Sequence, residues 1–258
     1  MEISMFAHSE LEQDFIHASD FVSGVGEARN HLVSLIDSTV LKPDATWSKM
    51  EALCDEAHSY GFRAVCVPPC YVSRVSSFLN ERNSAVRVCT VIGFPNGNNS
   101  TPTKIFETQN AVAMGAHEID YVQNDGWVKD RRWDLLEAEA AEIVRAAQGK
   151  LVKVILETSL LSDDEIRECA LRSALAGVHV IKTSTGFGSR GALPCDIEII
   201  ASALRDVENK IGRKHGIKAS GGVRSFLDAR TMVSLGATRL GTSGGASIAN
   251  GSENKSSY

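Results

Sequence analysis

Residues 178–188, with the sequence VHVIKTSTGFG, contain the clearest strand-to-loop transition in the chain. An apolar, β-branched run leads to Lys182 and then breaks into hydroxyl residues and glycines, which is typical of a buried strand that ends in a loop. Residues 216–222, with the sequence GIKASGG, repeat this arrangement and carry Lys218 just before a pair of glycines. We expect both strands to present a lysine amine at the edge where the sheet opens to solvent.

The same alternation of strand and helix extends through the chain on both sides of this stretch. Strands are predicted at residues 31–36, 64–67, 86–92, 118–122, 151–157, 178–182, 217–219 and 238–241. Helical segments separate them, and Ser162 with Glu165 forms a capping-box pattern at the start of one. Apolar strands alternating with helices are typical of a parallel sheet that is buried on both faces. We therefore predict an α/β fold, a (β/α)8 TIM barrel, while an open doubly wound sheet satisfies the same pattern.

The barrel is predicted to form a single catalytic domain over residues 31–249. Residues 1–30 precede it as an N-terminal helical extension. Residues 250–258 are polar and rich in serine, and we expect them to form a mobile C-terminal tail.

The composition is that of a globular protein that is not built to bind nucleic acid. Of the 258 residues, 43% are hydrophobic and 23% are charged, and the formal net charge is −5 at pH 7. Nucleic-acid-binding domains are usually basic, so an anionic substrate would need a local positive site in this chain. No apolar run approaches the roughly 18 residues of a membrane helix, and acids occupy the N-terminal segment where a signal peptide would be basic. We expect a cytoplasmic protein that contacts neither nucleic acid nor membrane.

The six cysteines fit reduced, buried thiols better than a disulfide framework or a zinc site. Cys66 and Cys70 do not have the spacing of a usual zinc pair, and no second cysteine or histidine cluster completes the set. The remaining cysteines are Cys54, Cys89, Cys169 and Cys195. We expect no metal, and thiols that stay reduced in a reducing compartment.

Charged and polar residues stand where the predicted strands end, and in a barrel these ends meet at one face. They are Asp37, Asp120, Glu157, Lys182, Lys218 and Ser243. Asp120, Lys182 and Lys218 each follow an isoleucine, where an unpaired charge is costly to bury. We therefore expect these three side chains to pair with one another.

Lys182 and Lys218 are the candidates for covalent chemistry. A lysine amine attacks carbonyl groups only when it is neutral, and a nearby cation or an apolar wall favours that form. Neighbouring strands lie about 4.8 Å apart, so lysines on adjacent strands come within range of each other. One amine would form an imine, the other would remain an ammonium ion, and Asp120 would transfer protons. The alternative is a buried ion network that only ties the barrel interior together, which is the interpretation we favour for Lys153.

Glycine-rich loops after the last two strands indicate a phosphate site. Gly221 and Gly222 follow the seventh strand, and the sequence GTSGG at residues 241–245 follows the eighth. Barrels often bind phosphate with backbone N–H groups of these two loops, where Arg224 and Ser243 would add donors. Each glycine cluster on its own is more often a simple turn.

Residues 186–191 match the GxGxxG pattern of dinucleotide-binding sites, but the context is wrong. A genuine fingerprint opens its helix directly and is followed by an acid at the end of the next strand. Here residues 182–185 intervene and the next strand carries Lys218. We therefore reject a dinucleotide site.

Several motifs in sequence order resemble those of the deoxyribose-phosphate aldolase family, which are class I aldolases that form a Schiff base on a (β/α)8 barrel. They are IDSTVLKPDAT at 36–46, AVCV at 64–67, VIGFP at 91–95, EID at 118–120, KVILET at 153–158, and the two lysine motifs at 182–188 and 218–224. The resemblance spans residues 36–246. The chain departs from the family pattern at Tyr121, at Gln123 to Asp125, in the polar loop 96–99 and at Gly244.

The resemblance implies a role for each candidate residue. Lys182 forms the Schiff base, Lys218 keeps its amine nucleophilic and assists proton transfer, and Asp120 joins the proton relay. Some members end in a tyrosine that moves a substrate proton, which makes Tyr258 a candidate. The substrate-binding positions implied are Asp37, Thr39, Thr185, Gly221, Gly222, Arg224, Ser243 and Gly244.

The implied reaction is the reversible cleavage of 2-deoxy-D-ribose 5-phosphate to D-glyceraldehyde 3-phosphate and acetaldehyde, with no metal or organic cofactor. A homodimer is expected by family analogy. Two other functions fit the residues. A sugar-phosphate isomerase would use the glycine loops and acid–base residues without an imine, and a non-catalytic barrel would only bind a sugar phosphate.

Overall fold

A computed structural model of the protein describes residues 25–251, with side chains described from residue 29. Its eight parallel strands form a closed barrel in sequence order, and the last strand pairs with the first through Ile36 and Leu240. The predicted (β/α)8 barrel is therefore confirmed, and the open doubly wound sheet is excluded.

The strands alternate with helices along the chain. The strands are β1 (Ile36–Thr39), β2 (Ala64–Val67), β3 (Arg87–Ile92), β4 (Glu118–Val122), β5 (Leu151–Ile155), β6 (Val180–Lys182), β7 (Gly216–Ser220) and β8 (Arg239–Thr242). The helices are α1 (Val25–Ser34), α2 (Trp47–Tyr60), α3 (Val72–Glu81), α4 (Thr101–Ala113), α5 (Asp125–Lys129), α6 (Trp133–Ala146), α7 (Asp163–Leu175), α8 (Pro194–Ile211), α9 (Phe226–Ser234) and α10 (Gly245–Asn250). Short 3₁₀ turns cover Pro69–Tyr71 and Thr158–Leu160.

The first predicted strand is wrong. Residues 31–34 belong to α1, and β1 begins at Ile36, so Asp37 lies inside the strand. Leu32 and Leu35 are buried three residues apart, the spacing of one helix face, and a short apolar run is compatible with either element. The other predicted strands agree with the observed ones within two residues at each end. The short helices α5 and α10 were not predicted.

The strands have two buried faces of different character. Because side chains alternate along a strand, Ile119, Ile181 and Ile217 face the surrounding helices and pack into the main apolar core. The neighbouring residues Asp120 and Lys182 face the barrel interior, where they contact each other. The apolar core thus lies between sheet and helices, and the interior is left for charged groups.

Local signals account for several helix boundaries. The predicted capping box at the start of α7 is present, with Ser162 accepting from the Glu165 backbone N–H and the Glu165 side chain accepting in return. Gly61 ends α2 in the left-handed region with φ 72°. Within residues 25–251, no helix is both long and apolar enough to cross a membrane.

The cysteine prediction needs one correction. All six cysteines are free, but only Cys54, Cys66, Cys89 and Cys169 are buried. Cys70 and Cys195 are exposed, because they lie in a 3₁₀ turn and in the first turn of α8, at the surface of the helix layer.

Helix α1 runs across the predicted boundary at residue 30, and the division into extension, barrel and tail stays a prediction. The rest of the predicted extension, residues 1–24, and residues 252–258 of the tail lie outside the described part of the chain.

Candidate active site

Lys182, Lys218 and Asp120 meet at the carboxyl ends of their strands inside the barrel. Lys182 and Lys218 are register partners on β6 and β7. Both amines contact one carboxylate oxygen, since each Nζ lies 2.9 Å from Oδ2 of Asp120. Lys182 is 2% exposed and the other two are fully buried. The predicted pairing of these three side chains is therefore observed.

A second layer of charges lies beneath this trio. Lys153 Nζ is 2.7 Å from Oδ1 of Asp120 and 2.6 Å from Oε2 of Glu118. The guanidinium group of Arg239 bridges Asp37 and Glu118. The network interpretation of Lys153 is thus confirmed. Glu118 and Arg239 join the network although the sequence did not point to them, because β-strand alternation sets their direction only once the register is known.

The three lysines differ in how many carboxylates they contact. Lys218 contacts two carboxylates, with Nζ 2.9 Å from Asp120 and 2.5 Å from Asp37. Lys153 likewise contacts Asp120 and Glu118. Among the described residues Lys182 has one carboxylate partner, Asp120. Lys182 is therefore the amine whose positive charge the site compensates least.

Electrostatics keep the partners of Lys182 ionised. Burial by itself raises the pKa of Asp120, but the three ammonium groups around it hold that pKa well below its usual range. Burial likewise acts to lower the pKa of Lys218, yet the carboxylates of Asp120 and Asp37 outweigh it and raise that pKa above its usual value. The arrangement therefore offers a stable carboxylate and a stable ammonium ion beside Lys182.

One side of the barrel mouth, the end of the barrel where the carboxyl ends of the strands meet, is apolar. Cys66 and Cys89 are register partners on β2 and β3 and pack with Ala64 and Val91, and Leu41 and Phe94 cover this patch. Phe94 meets Phe187 edge to face, with ring centroids 5.3 Å apart. This wall helps to exclude water from the site.

Two groups of side chains have the proximity of metal ligands. Cys66, Cys89 and Asp120 form one, and Asp37, Cys89 and Glu118 form the other, with donor atoms within 4.8 Å. Their carboxylates already bind lysine and arginine side chains, whose positive charges oppose a cation. The donor sets therefore fit an ion network better than a metal centre.

Glu157 organises the loop after Lys182, a function that the sequence did not reveal. It follows β5 in a left-handed conformation with φ 51°, which is uncommon for a non-glycine residue. Its Oε2 accepts hydrogen bonds from the Thr185 hydroxyl and from the Thr185 backbone N–H, the latter at 3.2 Å. Thr185 Oγ1 also accepts from the Phe187 N–H at 3.0 Å. The backbone strain at Glu157 is the signal of a positioning role.

Two glycines of the rejected GxGxxG pattern lie in close contact with neighbouring loops. A Cβ at Gly188 would lie 2.6 Å from Oε1 of Glu157, and a Cβ at Gly191 would lie 2.3 Å from the carbonyl oxygen of Gly221. Both glycines allow the loop after β6 to lie directly against neighbouring loops. No dinucleotide is needed to account for them.

The predicted phosphate residues lie on two loops that leave adjacent strands. Ser220 and Gly241 are register partners at the ends of β7 and β8. Gly222, Arg224 and Ser243 are exposed on these loops, whereas Gly221 and Gly244 are buried. The N–H of Gly244 donates to Thr242 Oγ1 at 2.8 Å, so it stabilises its own loop.

The remaining predicted positions differ in their surroundings. Asp37 lies in the ion network, and the Thr39 hydroxyl donates to the Asp37 carbonyl oxygen at 2.9 Å. Tyr258 lies outside the described residues. Tyr121 and Gln123, two departures from the family pattern, face the helix layer, where Gln123 Nε2 contacts Asp125, Leu156 O and Cys169. These two departures therefore leave the barrel mouth unchanged.

Comparison with known proteins gives consistent results. The profile of the family described as DeoC/LacD family aldolase matches residues 31–250. A deoxyribose-phosphate aldolase of Geobacillus sp. (strain WCH70) is 45% identical over 231 residues, covering 89% of this chain and 99% of that protein. Deoxyribose-phosphate aldolase 1 of Bacillus licheniformis is 48% identical over 221 residues, covering 85% of this chain and 95% of that protein. Among solved structures, the tetrameric deoxyribose phosphate aldolase of Aeropyrum pernix superposes with a TM-score of 0.80 at 32% identity, covering 94% of this chain and 96% of that one.

Proposed function

The chain belongs to the DeoC/LacD family of aldolases, and we propose that it cleaves 2-deoxy-D-ribose 5-phosphate reversibly through a Schiff base on Lys182. The products are D-glyceraldehyde 3-phosphate and acetaldehyde. The observation that carries the proposal is the contact of Lys182 with a carboxylate that Lys218 and Lys153 also hold.

The first half of the reaction forms the iminium ion. The neutral amine of Lys182 adds to C1 of the open-chain sugar, and the carbinolamine loses water with a proton from the Asp120 and Lys218 pair. The two partners suit this exchange because their Nζ and Oδ2 atoms lie 2.9 Å apart. The apolar wall of Cys66 and Phe94 limits water at the reacting carbon.

The second half breaks the carbon–carbon bond. The electron pair of the C2–C3 bond moves into the iminium ion, the C3 hydroxyl loses its proton to the relay, and C3 becomes the aldehyde of glyceraldehyde 3-phosphate. The enamine left on Lys182 is protonated at C2, and water hydrolyses it to release acetaldehyde. No metal or organic cofactor takes part in this scheme.

The phosphate is proposed to bind at the loops after β7 and β8. Gly222, Arg224 and Ser243 are exposed there, and glycine permits close approach of the backbone to an anion. Gly221, Gly244 and Thr185 complete the proposed substrate contacts on the loops. Asp37 and Thr39 act from β1, where Asp37 is held by Lys218 and Arg239.

Borohydride reduction in the presence of deoxyribose 5-phosphate tests the proposal. Reduction should trap a covalent adduct, and peptide mapping should place it on Lys182. A sugar-phosphate isomerase or a non-catalytic binding barrel would give no adduct in the intact mass. That result would overturn the Schiff-base proposal.

Tyr258 is proposed to move the proton at C2 of the enamine. Removal of this residue should slow hydrogen–deuterium exchange at the acetaldehyde methyl group, whereas an unchanged exchange rate would assign it no role.

The substrate is a small phosphosugar, and we further propose a cytoplasmic homodimer. Light scattering on a sizing column tests the dimer against the tetramer described for the Aeropyrum pernix protein.

A further inference from the structure

Ser220 carries a buried hydroxyl group for which the described part of the chain supplies no hydrogen-bond partner. It is the last residue of β7, two positions after Lys218, and 5% of it is exposed. Its Oγ makes no hydrogen bond with any residue of the range 25–251. Buried hydroxyl groups normally have a partner, so an unpartnered one beside a catalytic lysine indicates a ligand contact.

The direction of this hydroxyl is shown by the glycine opposite it. Ser220 pairs with Gly241 of β8, and a Cβ at Gly241 would lie 2.1 Å from Ser220 Oγ and 2.9 Å from Lys218 Cε. The hydroxyl and the lysine stem therefore share the inner face of the barrel, as residues two apart on a strand do. Glycine at position 241 leaves room for the Ser220 hydroxyl and the Lys218 side chain.

The backbone of Ser220 is fixed on both sides. Its N–H donates to Thr183 Oγ1 at 3.1 Å, and its carbonyl oxygen accepts from the Ala192 N–H at 3.0 Å. Thr183 directly follows the proposed nucleophile Lys182. A hydroxyl on such a fixed backbone is preorganised for binding.

Ser220 lies between the two ends of the proposed substrate site. Two residues of strand place it about 6.6 Å beyond Lys218 toward the loop of Gly221 and Gly222. In open-chain 2-deoxyribose 5-phosphate, with its carbonyl carbon at Lys182 and its phosphate at that loop, C2 is a methylene group and C3 and C4 carry hydroxyl groups.

We propose that Ser220 is a substrate-contacting residue whose hydroxyl binds the C4 hydroxyl group of the sugar, between the carbonyl carbon and the phosphate. This inference rests on the proposed aldolase function. It assigns Ser220 to recognition of the hydroxylated aldehyde fragment and gives it no part in forming the Schiff base.

The test compares Ser220→Ala with wild type in the synthesis direction. Acetaldehyde is the donor, and the acceptors are D-glyceraldehyde 3-phosphate and 3-oxopropyl phosphate, which lacks the intervening hydroxyl. We expect kcat/KM for the first acceptor to fall roughly three- to tenfold, as for loss of one neutral hydrogen bond, and kcat/KM for the second to stay unchanged. Equal kcat/KM values of variant and wild type for both acceptors would overturn the inference, as would an equal loss with both.

Ser173→Ala is the matched control. Ser173 is also fully buried and also has an unpartnered Oγ, but it lies in α7, outside the barrel. This variant should have the wild-type kcat/KM for both acceptors. A loss of kcat/KM specific to the hydroxylated acceptor in this control would overturn the assignment to Ser220.

Borohydride trapping of acetaldehyde separates this inference from the proposed function. Acetaldehyde lacks the hydroxyl, so Ser220→Ala should trap it at the wild-type rate, which also shows that the variant is folded. A wild-type protein that traps no adduct would overturn the aldolase proposal and this inference together. If wild type forms the adduct but Ser220→Ala has the same preference between the two acceptors as wild type, only the inference is overturned.

Discussion

Lys182 and Lys218 share a single carboxylate oxygen, since the Nζ atom of each lies 2.9 Å from Oδ2 of Asp120. Lys218 also contacts a second carboxylate, Asp37, whereas Lys182 contacts no second carboxylate within the described chain. Two cations on one oxygen repel each other, and the better compensated one keeps its proton. The geometry therefore favours Lys182 as the nucleophile and Lys218 as its permanent positive neighbour.

Replacing Lys182 should separate chemistry from binding. Lys182→Leu removes the nucleophile, so turnover should fall by about 10⁴-fold or more, while titration calorimetry with inorganic phosphate should give wild-type affinity. Lys218→Leu should still form the borohydride adduct on Lys182, but more slowly. An adduct on Lys218 in the Lys182→Leu protein would reverse the two assignments.

Neutralising Asp120 should impair both stability and catalysis. Asp120→Asn leaves three buried ammonium groups without their common carboxylate, which should cost about 3–5 kcal/mol in urea unfolding and lower kcat by about 10²-fold or more. Glu139→Gln is the control, because Glu139 is 2% exposed and pairs at 2.7 Å with buried Lys104, between helices α4 and α6. That variant should lose stability and keep its kcat. A stable, fully active Asp120→Asn protein would contradict the shared-carboxylate model.

Glu157 should act through Thr185. Glu157→Ala leaves the hydroxyl and the N–H of Thr185 without their acceptor, so the loop after Lys182 should loosen and kcat/KM should fall about tenfold. Glu157→Gln keeps a carbonyl acceptor and should retain most of the activity. If the two variants have the same kinetic constants as wild type, the loop does not depend on this contact.

Asp125 should make stability decrease as the pH rises toward neutrality. Burial raises its pKa from 3.8 to about 7, so the folded protein binds this proton more tightly than the unfolded chain does. Its stabilising contribution is full below about pH 4 and is lost as the pH rises through 7. Asp125→Asn keeps the acceptor for Gln123, and at pH 8 it should be about 1–3 kcal/mol more stable than wild type, with no difference at pH 4.

Urea unfolding at the two pH values checks this expectation. Asp130→Asn is the control, since Asp130 is an exposed carboxylate five residues further along the chain. It should show no pH-dependent difference from wild type. Equal stability of Asp125→Asn and wild type at pH 8 would show that the carboxyl group is solvated in the native state.

Much of the barrel follows from local patterns in the sequence. Apolar runs separated by helical segments predict its strands because each strand is buried on both faces. The error at residues 31–34 has the same origin, since Leu32 and Leu35 fit one face of a helix as well as they fit a strand. The need for glycine at 191 is not visible in the sequence, because it comes from a close contact with the backbone of Gly221 on another loop.

The α/β class and the candidates Lys182, Lys218 and Asp120 are predictable from sequence alone. Apolar strands alternate with helices, and a charged residue in an apolar strand is costly to bury unless it is paired. Which carboxylates each lysine contacts is not predictable in this way, since Asp37 and Asp120 come from strands far apart in the chain. The same holds for the unpartnered hydroxyl of Ser220, which lies where a side chain at Gly241 would be. Local pattern sets which face a residue occupies, but closure of the barrel sets which charges and which spaces it meets there.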